Sequence, residues 1–115
     1  MAITNTEIVG SPTLPAAIYT SSGNNAITTI IVCNKVLFDP ANPLTGQTSL
    51  YLWAMPAADG STPLDKHLIV NGLPIPAGET VSFDQEKMVL ANGDTLFAKS
   101  DSPANLVATV STLAV

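Results

Sequence analysis

Few side chains in this sequence are of the types that carry out catalysis. His67 is the single histidine, so a serine or cysteine nucleophile that needs a neighbouring base must use it. The serines lack the G-x-S-x-G turn that exposes a nucleophile in α/β-hydrolases, and His67 is expected to face solvent or a partner. Cys33 ends a β-branched run, where a small buried side chain is the expected role. We therefore predict that the chain is not an enzyme.

Carboxylates are more numerous, and four of them lie on neighbouring strands or turns of the predicted C-terminal meander, at Glu79, Asp84, Glu86 and Asp94. A calcium site needs several oxygens at about 2.3–2.6 Å, and no D-x-D-x-D-G loop is present to supply them. The glycines form neither a dinucleotide-binding nor a P-loop motif. The sequence therefore predicts no metal and no cofactor, with these carboxylates at turns and sheet edges, where they discourage aggregation.

An aromatic cluster is the one remaining group with binding chemistry. Tyr51, Trp53 and Met55 alternate along the predicted strand 48–55 and so share one face of it. Such a face either stacks against sugars or is covered by the second sheet or a neighbouring subunit. Burial within the sandwich or a subunit interface is the favoured interpretation.

Composition limits the class of protein and its partners. A chain of 115 residues that is 46% hydrophobic and 11% charged is one folded domain with an unusually uncharged surface. Four lysines against nine carboxylates give a net charge of −5, which argues against a nucleic-acid partner. The single cysteine excludes an internal disulfide. Neither a signal peptide nor a membrane span is predicted, and synthesis in a reducing cytoplasm is expected.

The spacing of strands and turns predicts the fold. Short β-prone runs recur at roughly 8–12-residue intervals with turn residues between them, which is typical of an all-β antiparallel sandwich, jelly-roll or immunoglobulin-like, of about eight strands. Residues 73–115 are predicted to form an antiparallel meander, with turns at Asn71-Gly72 and a hairpin at Asn92-Gly93. The core predicted from alternation consists of Ile31, Leu52, Val81, Phe83, Leu96 and Val110.

The N-terminal segment is predicted to differ from the rest. Pro12 and Pro15 keep it from being a central strand, so residues 1–15 are expected to form an extended arm and residues 16–115 the sandwich. The arm would lie on a neighbouring subunit and pair with a sheet edge. The interface candidates are therefore Ile3, Ile8, Val9 and Leu14 of the arm, together with Tyr51, Trp53 and Met55.

Two phrases of the sequence resemble a known family. Residues 75–83 read I-P-A-G-E-T-V-S-F and residues 90–98 read L-A-N-G-D-T-L-F-A, followed by a polar turn and an alternating strand. Upstream, residues 16–19 (A-A-I-Y) precede the β-branched run 26–34. This order is similar to that of small virion structural proteins of tailed bacteriophages.

The resemblance implies a non-enzymatic β-sandwich subunit that assembles in many copies. Because a subunit of charge −5 is poorly suited to line packaged DNA, we expect a decoration or cement protein on the outer surface of the virion. Its partners would be the major capsid protein or other virion proteins, with self-association, for example as a trimer. A neck or tail adaptor, a fibre subunit and a carbohydrate- or receptor-binding module are the alternatives.

Overall fold

The computed structural model of the chain describes residues 2–11, 13–84 and 87–115. These residues form nine β-strands and two single-turn 3₁₀ helices, at Ala57–Asp59 and Asp65–His67. The strands are β1 (Ala2–Glu7), β2 (Ala16–Thr20), β3 (Asn25–Asn34), β4 (Thr48–Met55), β5 (Leu68–Ile75), β6 (Thr80–Phe83), β7 (Met88–Leu90), β8 (Thr95–Ser100) and β9 (Leu106–Ala114).

The strands make two antiparallel sheets. The five-stranded sheet has the order β1-β9-β3-β6, with β7 also paired to β3, and the four-stranded sheet has the order β2-β8-β4-β5. Strand β9 pairs with one side of β3. On the other side of β3, strands β6 and β7 follow each other and act as one interrupted strand. The eight resulting strand positions, with the chain passing repeatedly between the sheets, form the double Greek key of a jelly roll. The predicted all-β antiparallel sandwich is confirmed.

The core lies between the two sheets and follows the alternation of each strand. Leu52, Leu96 and Val110 are buried as predicted, and Val81 and Phe83 are partly buried against them. The core prediction is wrong for its sixth residue, Ile31.

Ile31 is 39% exposed, on the outside of the five-stranded sheet. The pairing of β3 with β9 shifts register between Ile27 and Thr29. This bulge places Ile27 and Ile30 on the same inner face, so the alternation predicted from the sequence is reversed for the second half of the strand.

The predicted meander over residues 73–115 is also wrong, because consecutive strands there enter different sheets. β7 pairs with β3, whereas β8 pairs with β2 and β4. The Asn92-Gly93 turn therefore connects the two sheets and does not close a hairpin. Gly93 has the predicted positive φ, at 88°, and the amide of Asp94 donates to the carbonyl of Ala91 at 3.0 Å.

The turn predicted at Asn71-Gly72 is absent, since both residues lie within β5. Gly72 has a φ of 76° and falls where the pairing of β4 with β5 shifts register between Leu50 and Tyr51. A glycine in the left-handed region serves a bulge as well as a turn, and that ambiguity explains the error.

Residues 2–7 form strand β1 of the subunit's own sheet. They pair with β9 from Ala2 opposite Thr112 to Glu7 opposite Val107. The amide of Ile8 then donates to the carbonyl of Leu106 at 2.9 Å. Pro15 follows this strand in the sequence, as does Pro12, which lies outside the described residues, so neither proline interrupts it. The structure thus corrects the predicted division into a separate arm (1–15) and a domain (16–115).

Candidate interaction surface

The connections β1–β2, β3–β4, β5–β6 and β8–β9 meet at one end of the sandwich. The longest of them is the β3–β4 loop, residues 35–47. A buried side chain of the sandwich, Asn34, holds both ends of this loop. Its amide nitrogen donates to the carbonyls of Gly46 at 2.8 Å and Ile75 at 3.0 Å, and its oxygen accepts from the amide of Val36 at 3.1 Å. Asn105 donates to the same Gly46 carbonyl at 3.3 Å.

Within the loop, the backbone forms a series of short turns. The Asp39 carboxylate accepts from the amide of Ala41 at 3.0 Å, which is the Asx turn typical of Asp at this position. The amide of Asn42 donates to the carbonyl of Asp39, and that of Thr45 to the carbonyl of Asn42. The loop is thus ordered through its backbone and polar groups, with no need to bury its apolar side chains.

Those apolar side chains face solvent. Leu37 is 89% exposed, Leu44 is 77% exposed and Phe38 is 52% exposed. Leu14, in the β1–β2 connection at the same end, is 75% exposed. We call these four residues the apolar loop end. Exposed apolar side chains grouped on an ordered surface are a feature of binding sites for other proteins.

Sequence reasoning found Leu14 but missed the other three members of the apolar loop end. The available signal was a 13-residue loop with two prolines, Pro40 and Pro43, that still carries large apolar residues. Lys35, Asp39 and Glu79 are exposed in the adjoining loops, so the charges around the surface have mixed sign.

The predicted N-terminal interface candidates fall in three environments. Ile3 and Leu14 are largely exposed, and Val9 is partly buried. Ile8 is only 3% exposed and belongs to the core between the sheets. Ile8 is therefore not available to a partner, because the chain's own core already buries it.

The aromatic candidates lie on the outer face of the four-stranded sheet. Tyr51 and Trp53 are partly buried, with ring centroids 6.2 Å apart and planes at 29°. The Tyr51 hydroxyl donates to the Asp101 carboxylate at 3.2 Å. Desolvation, with a smaller contribution from the Asp101 charge, raises the pKa of Tyr51 above its ordinary value of 10.0.

The third member of that predicted cluster, Met55, is only 4% exposed. It lines a small cavity with Pro56, Leu90 and Asp94, where β4 ends beside the β7–β8 turn. Met55 is therefore removed from the interface candidates, since this neighbouring turn covers it.

His67 is buried, which contradicts the expectation that it faces solvent or a partner. Its Nδ1 accepts from the amide of Leu64 at 2.9 Å, and its Nε2 lies 2.8 Å from the Asp59 carboxylate. Because Nδ1 is an acceptor, the ring proton is on Nε2 and is donated to Asp59. Both ring nitrogens are thus used to close the β4–β5 loop, residues 56–67, leaving neither as a base. The hydrogen bond from His67 lowers the pKa of Asp59 below its ordinary 3.8.

Other kinds of site were sought across residues 2–11, 13–84 and 87–115. No group of three or more potential metal ligands occurs among them, and Cys33 is a free, partly buried thiol. No helix in this part of the chain is long and apolar enough to span a membrane. Comparisons with protein-family models, curated proteins and solved structures found no match to the chain.

Proposed function

We propose that this chain is a non-enzymatic structural protein of a bacteriophage virion, which decorates the outside of the head shell and docks on it through the apolar loop end. The observation that supports this most strongly is the ordered β3–β4 loop, which presents Leu37 and Leu44 to solvent. Burying such a side chain against a partner contributes about 1.5–3 kcal/mol.

The way the loop is held favours tight docking. A flexible loop loses conformational entropy on binding, and this loss weakens affinity. Here Asn34 and Asn105 already fix the loop through the Gly46 carbonyl. The apolar side chains are therefore presented on a preorganised backbone, an arrangement typical of interface residues that dominate binding energy.

Charge supports an outward position on the particle. The net charge of −5, with four lysines and no arginine, is unfavourable next to packaged DNA. The partner that fits the apolar loop end is a depression on the outer surface of the major capsid protein, lined by apolar side chains. Binding by many copies would connect neighbouring shell subunits and so stabilise the head.

The test measures binding of the purified protein to particles of its own phage. These particles are prepared without the protein, so that its binding sites are free. The double variant Leu37→Ser with Leu44→Ser should lose at least about a hundredfold in affinity, since two central apolar contacts are removed. Leu64→Ser is the matched control, because Leu64 is 55% exposed in the β4–β5 loop at the other end of the sandwich. Equal losses for the double variant and the control would contradict docking by this end.

A neck or tail adaptor and a fibre subunit would use the same kind of apolar contact. An electron-microscopy map of the particle separates these locations, since density for the jelly roll over the head lattice supports decoration. Density confined to the neck or tail would replace the decoration proposal with one of these alternatives.

The partly exposed Tyr51–Trp53 pair favours one further function, binding of a carbohydrate or of a glycosylated receptor. Sugars stack on aromatic faces, and these two rings lie side by side on one sheet face. Screening the protein against a glycan array tests this function, with Trp53→Ala expected to abolish any signal and Leu37→Ser to preserve it. An array without signal above background would count against it.

A further inference from the structure

The outer face of the five-stranded sheet carries almost no charge. Among the described residues of its five strands, Glu7 is the single charged side chain. Four large apolar side chains point outward from four different strands and are exposed: Ile3, Ile31, Val89 and Leu113. Serine, threonine and asparagine fill most of the remaining positions, and Val107 and Cys33 lie in the same row as Glu7. A flat, exposed and uncharged sheet face of this kind is typical of a surface covered by another protein.

We infer that this face packs against the same face of a second copy of the chain, about a two-fold axis parallel to the strands. Two copies of charge −5 repel each other. Of the surfaces through which they could associate, the one that brings the fewest charges together is therefore favoured. This sheet face meets that condition. A face that binds its own copy must also be self-complementary, and an uncharged sheet surface of alternating apolar and hydroxyl side chains satisfies this requirement.

The register of the strands selects the direction of the axis. Leu113 and Val89 both pair with Ala26, so they lie in one row across the sheet at the end opposite Glu7. An axis parallel to the strands places this apolar end of one copy against the same end of the other. It also places the β1 edge over the β6–β7 edge.

Under this arrangement, Asn5 of one copy lies over Ser82 of the second, and Glu7 lies over Thr80. A two-fold axis across the strands would instead bring Glu7 towards the apolar end of the other copy. Lys87, in the connection between β6 and β7, is exposed at the rim of the face, as expected for a charged residue beside an interface.

The size of the face sets the strength of the association. Four strand positions about 4.8 Å apart, over about seven residues at 3.3 Å each, give roughly 20 by 25 Å, or about 1,000 Å² buried in total over both copies. This is the lower limit for a specific interface. We therefore expect a dimer that forms in the micromolar range or weaker in solution and is favoured where docking on a shell raises the local concentration.

The first test is sedimentation velocity of the purified protein from about 1 μM to about 1 mM, a range that spans moderate to weak dimer affinities. A concentration-dependent monomer–dimer equilibrium is expected. Ile31→Lys adds one charge on each copy close to the axis and should weaken dimerisation at least about tenfold. The control is Asn71→Lys, an exposed position on the outer face of the other sheet, which should leave the equilibrium unchanged.

A second test fixes the geometry and does not depend on how well Ile31→Lys folds. In a Cys33→Ser background, Asn5→Cys combined with Ser82→Cys should oxidise to a covalent dimer. Within one subunit, β9 and β3 separate these positions, about 14 Å at the usual strand spacing, which is too far for a disulfide. Ile3→Cys with Thr80→Cys is the control pair, since the proposed axis does not bring those positions together.

Three results would overturn the inference. The first is a protein that remains monomeric over the whole concentration range. The second is equal cross-linking of the two cysteine pairs. The third is dissociation of the dimer by the Leu37→Ser and Leu44→Ser double variant but not by Ile31→Lys, which would assign self-association to the apolar loop end. Because the shell-binding experiment examines a different surface, its failure and the failure of this inference are distinguishable.

Discussion

The two long loops of this jelly roll are similar in length and are stabilised in different ways. In the β3–β4 loop, residues 35–47, side chains from outside the loop hold its backbone: Asn34 and Asn105 both donate to the Gly46 carbonyl. In the β4–β5 loop, residues 56–67, the loop's own side chains make the closure, because His67 bonds to Asp59 and to the amide of Leu64. One outside group, the Asp94 carboxylate, accepts from the amide of Ala57 at the start of the loop.

This difference decides which loop has side chains free for a partner. A loop that is held from outside keeps its own side chains available, and Leu37 and Leu44 are exposed accordingly. In a loop that is closed by its own polar side chains, those side chains are not available to bind a partner. The comparison therefore points to the β3–β4 loop as the binding element and to His67 as a structural residue, although histidine has the richer chemistry.

The largest expected effect is that of Asn34→Ala. The substitution removes three hydrogen bonds and leaves the Ile75 carbonyl without its Asn34 donor, while the Gly46 carbonyl keeps the bond from Asn105, so we expect a loss of about 3 kcal/mol in the free energy of unfolding. Urea denaturation followed by circular dichroism measures it. Asn105→Ala, which removes one longer bond, should cost about 1 kcal/mol or less. If the two variants were equally stable, Asn34 would not be the main support of the loop.

The second-largest loss of stability is expected when the His67 hydrogen bonds that close the β4–β5 loop are removed. His67→Ala should cost about 2 kcal/mol, since it leaves the Leu64 amide without its acceptor and opens a cavity. Hydrogen exchange should speed up at Leu64 and leave the β3–β4 loop unchanged. Lys66→Ala is the control, with an effect within about 0.5 kcal/mol, because Lys66 is exposed and lies 3.6 Å from Asp59. Faster exchange in both loops would show that they are not independent.

A smaller effect is expected at low pH. The hydrogen bond from His67 lowers the pKa of Asp59 in the folded protein relative to its ordinary 3.8. The stabilisation is therefore present above about pH 3.8 and is lost as the pH falls through the lowered pKa of the folded state. A carbon-13 NMR titration of the Asp59 carboxyl should show the lowered pKa, and His67→Ala should raise it towards 3.8. Lys66→Ala should raise the pKa of Asp59 less than His67→Ala does. A larger effect of Lys66→Ala would mean that the charge of Lys66 is the main cause of the lowered pKa.

The smallest effect on stability is expected in the apolar loop end. Leu37→Ser should change the free energy of unfolding by no more than about 0.5 kcal/mol, because the side chain is 89% exposed. The same denaturation experiment used for Asn34→Ala measures it. A loss above about 1 kcal/mol would mean that Leu37 stabilises the subunit itself and is not reserved for a partner.

Local patterns in the sequence predicted the strands and much of the core. Leu52, Leu96 and Val110 follow from simple alternation, and the short strands with turn residues between them predicted the sandwich. The position of Ile31 did not follow, because the bulge in β3 is tied to β9. Thr28 donates to the carbonyl of Ser111, and nothing near Thr28 in the sequence indicates this distant partner.

The candidate surface was harder to predict for a related reason. An apolar residue between prolines has the same local sequence whether it packs inward or is exposed. What exposes Leu37 and Leu44 is the support given to the loop by Asn34 and Asn105, one of which lies 59 residues from its acceptor, Gly46. His67 was misplaced likewise, since its acceptor Asp59 lies eight residues away in the same loop and no local pattern indicates the pairing.

The position of β9 has a consequence for how the protein is made. This strand is the last of the nine in chain order, yet it lies inside the five-stranded sheet, between β1 and β3. During synthesis β1 therefore has no strand to pair with until β9 has left the ribosome. Pairing over such a distance in the chain makes folding slow, and until then the newly made protein exposes unpaired strand edges that favour aggregation.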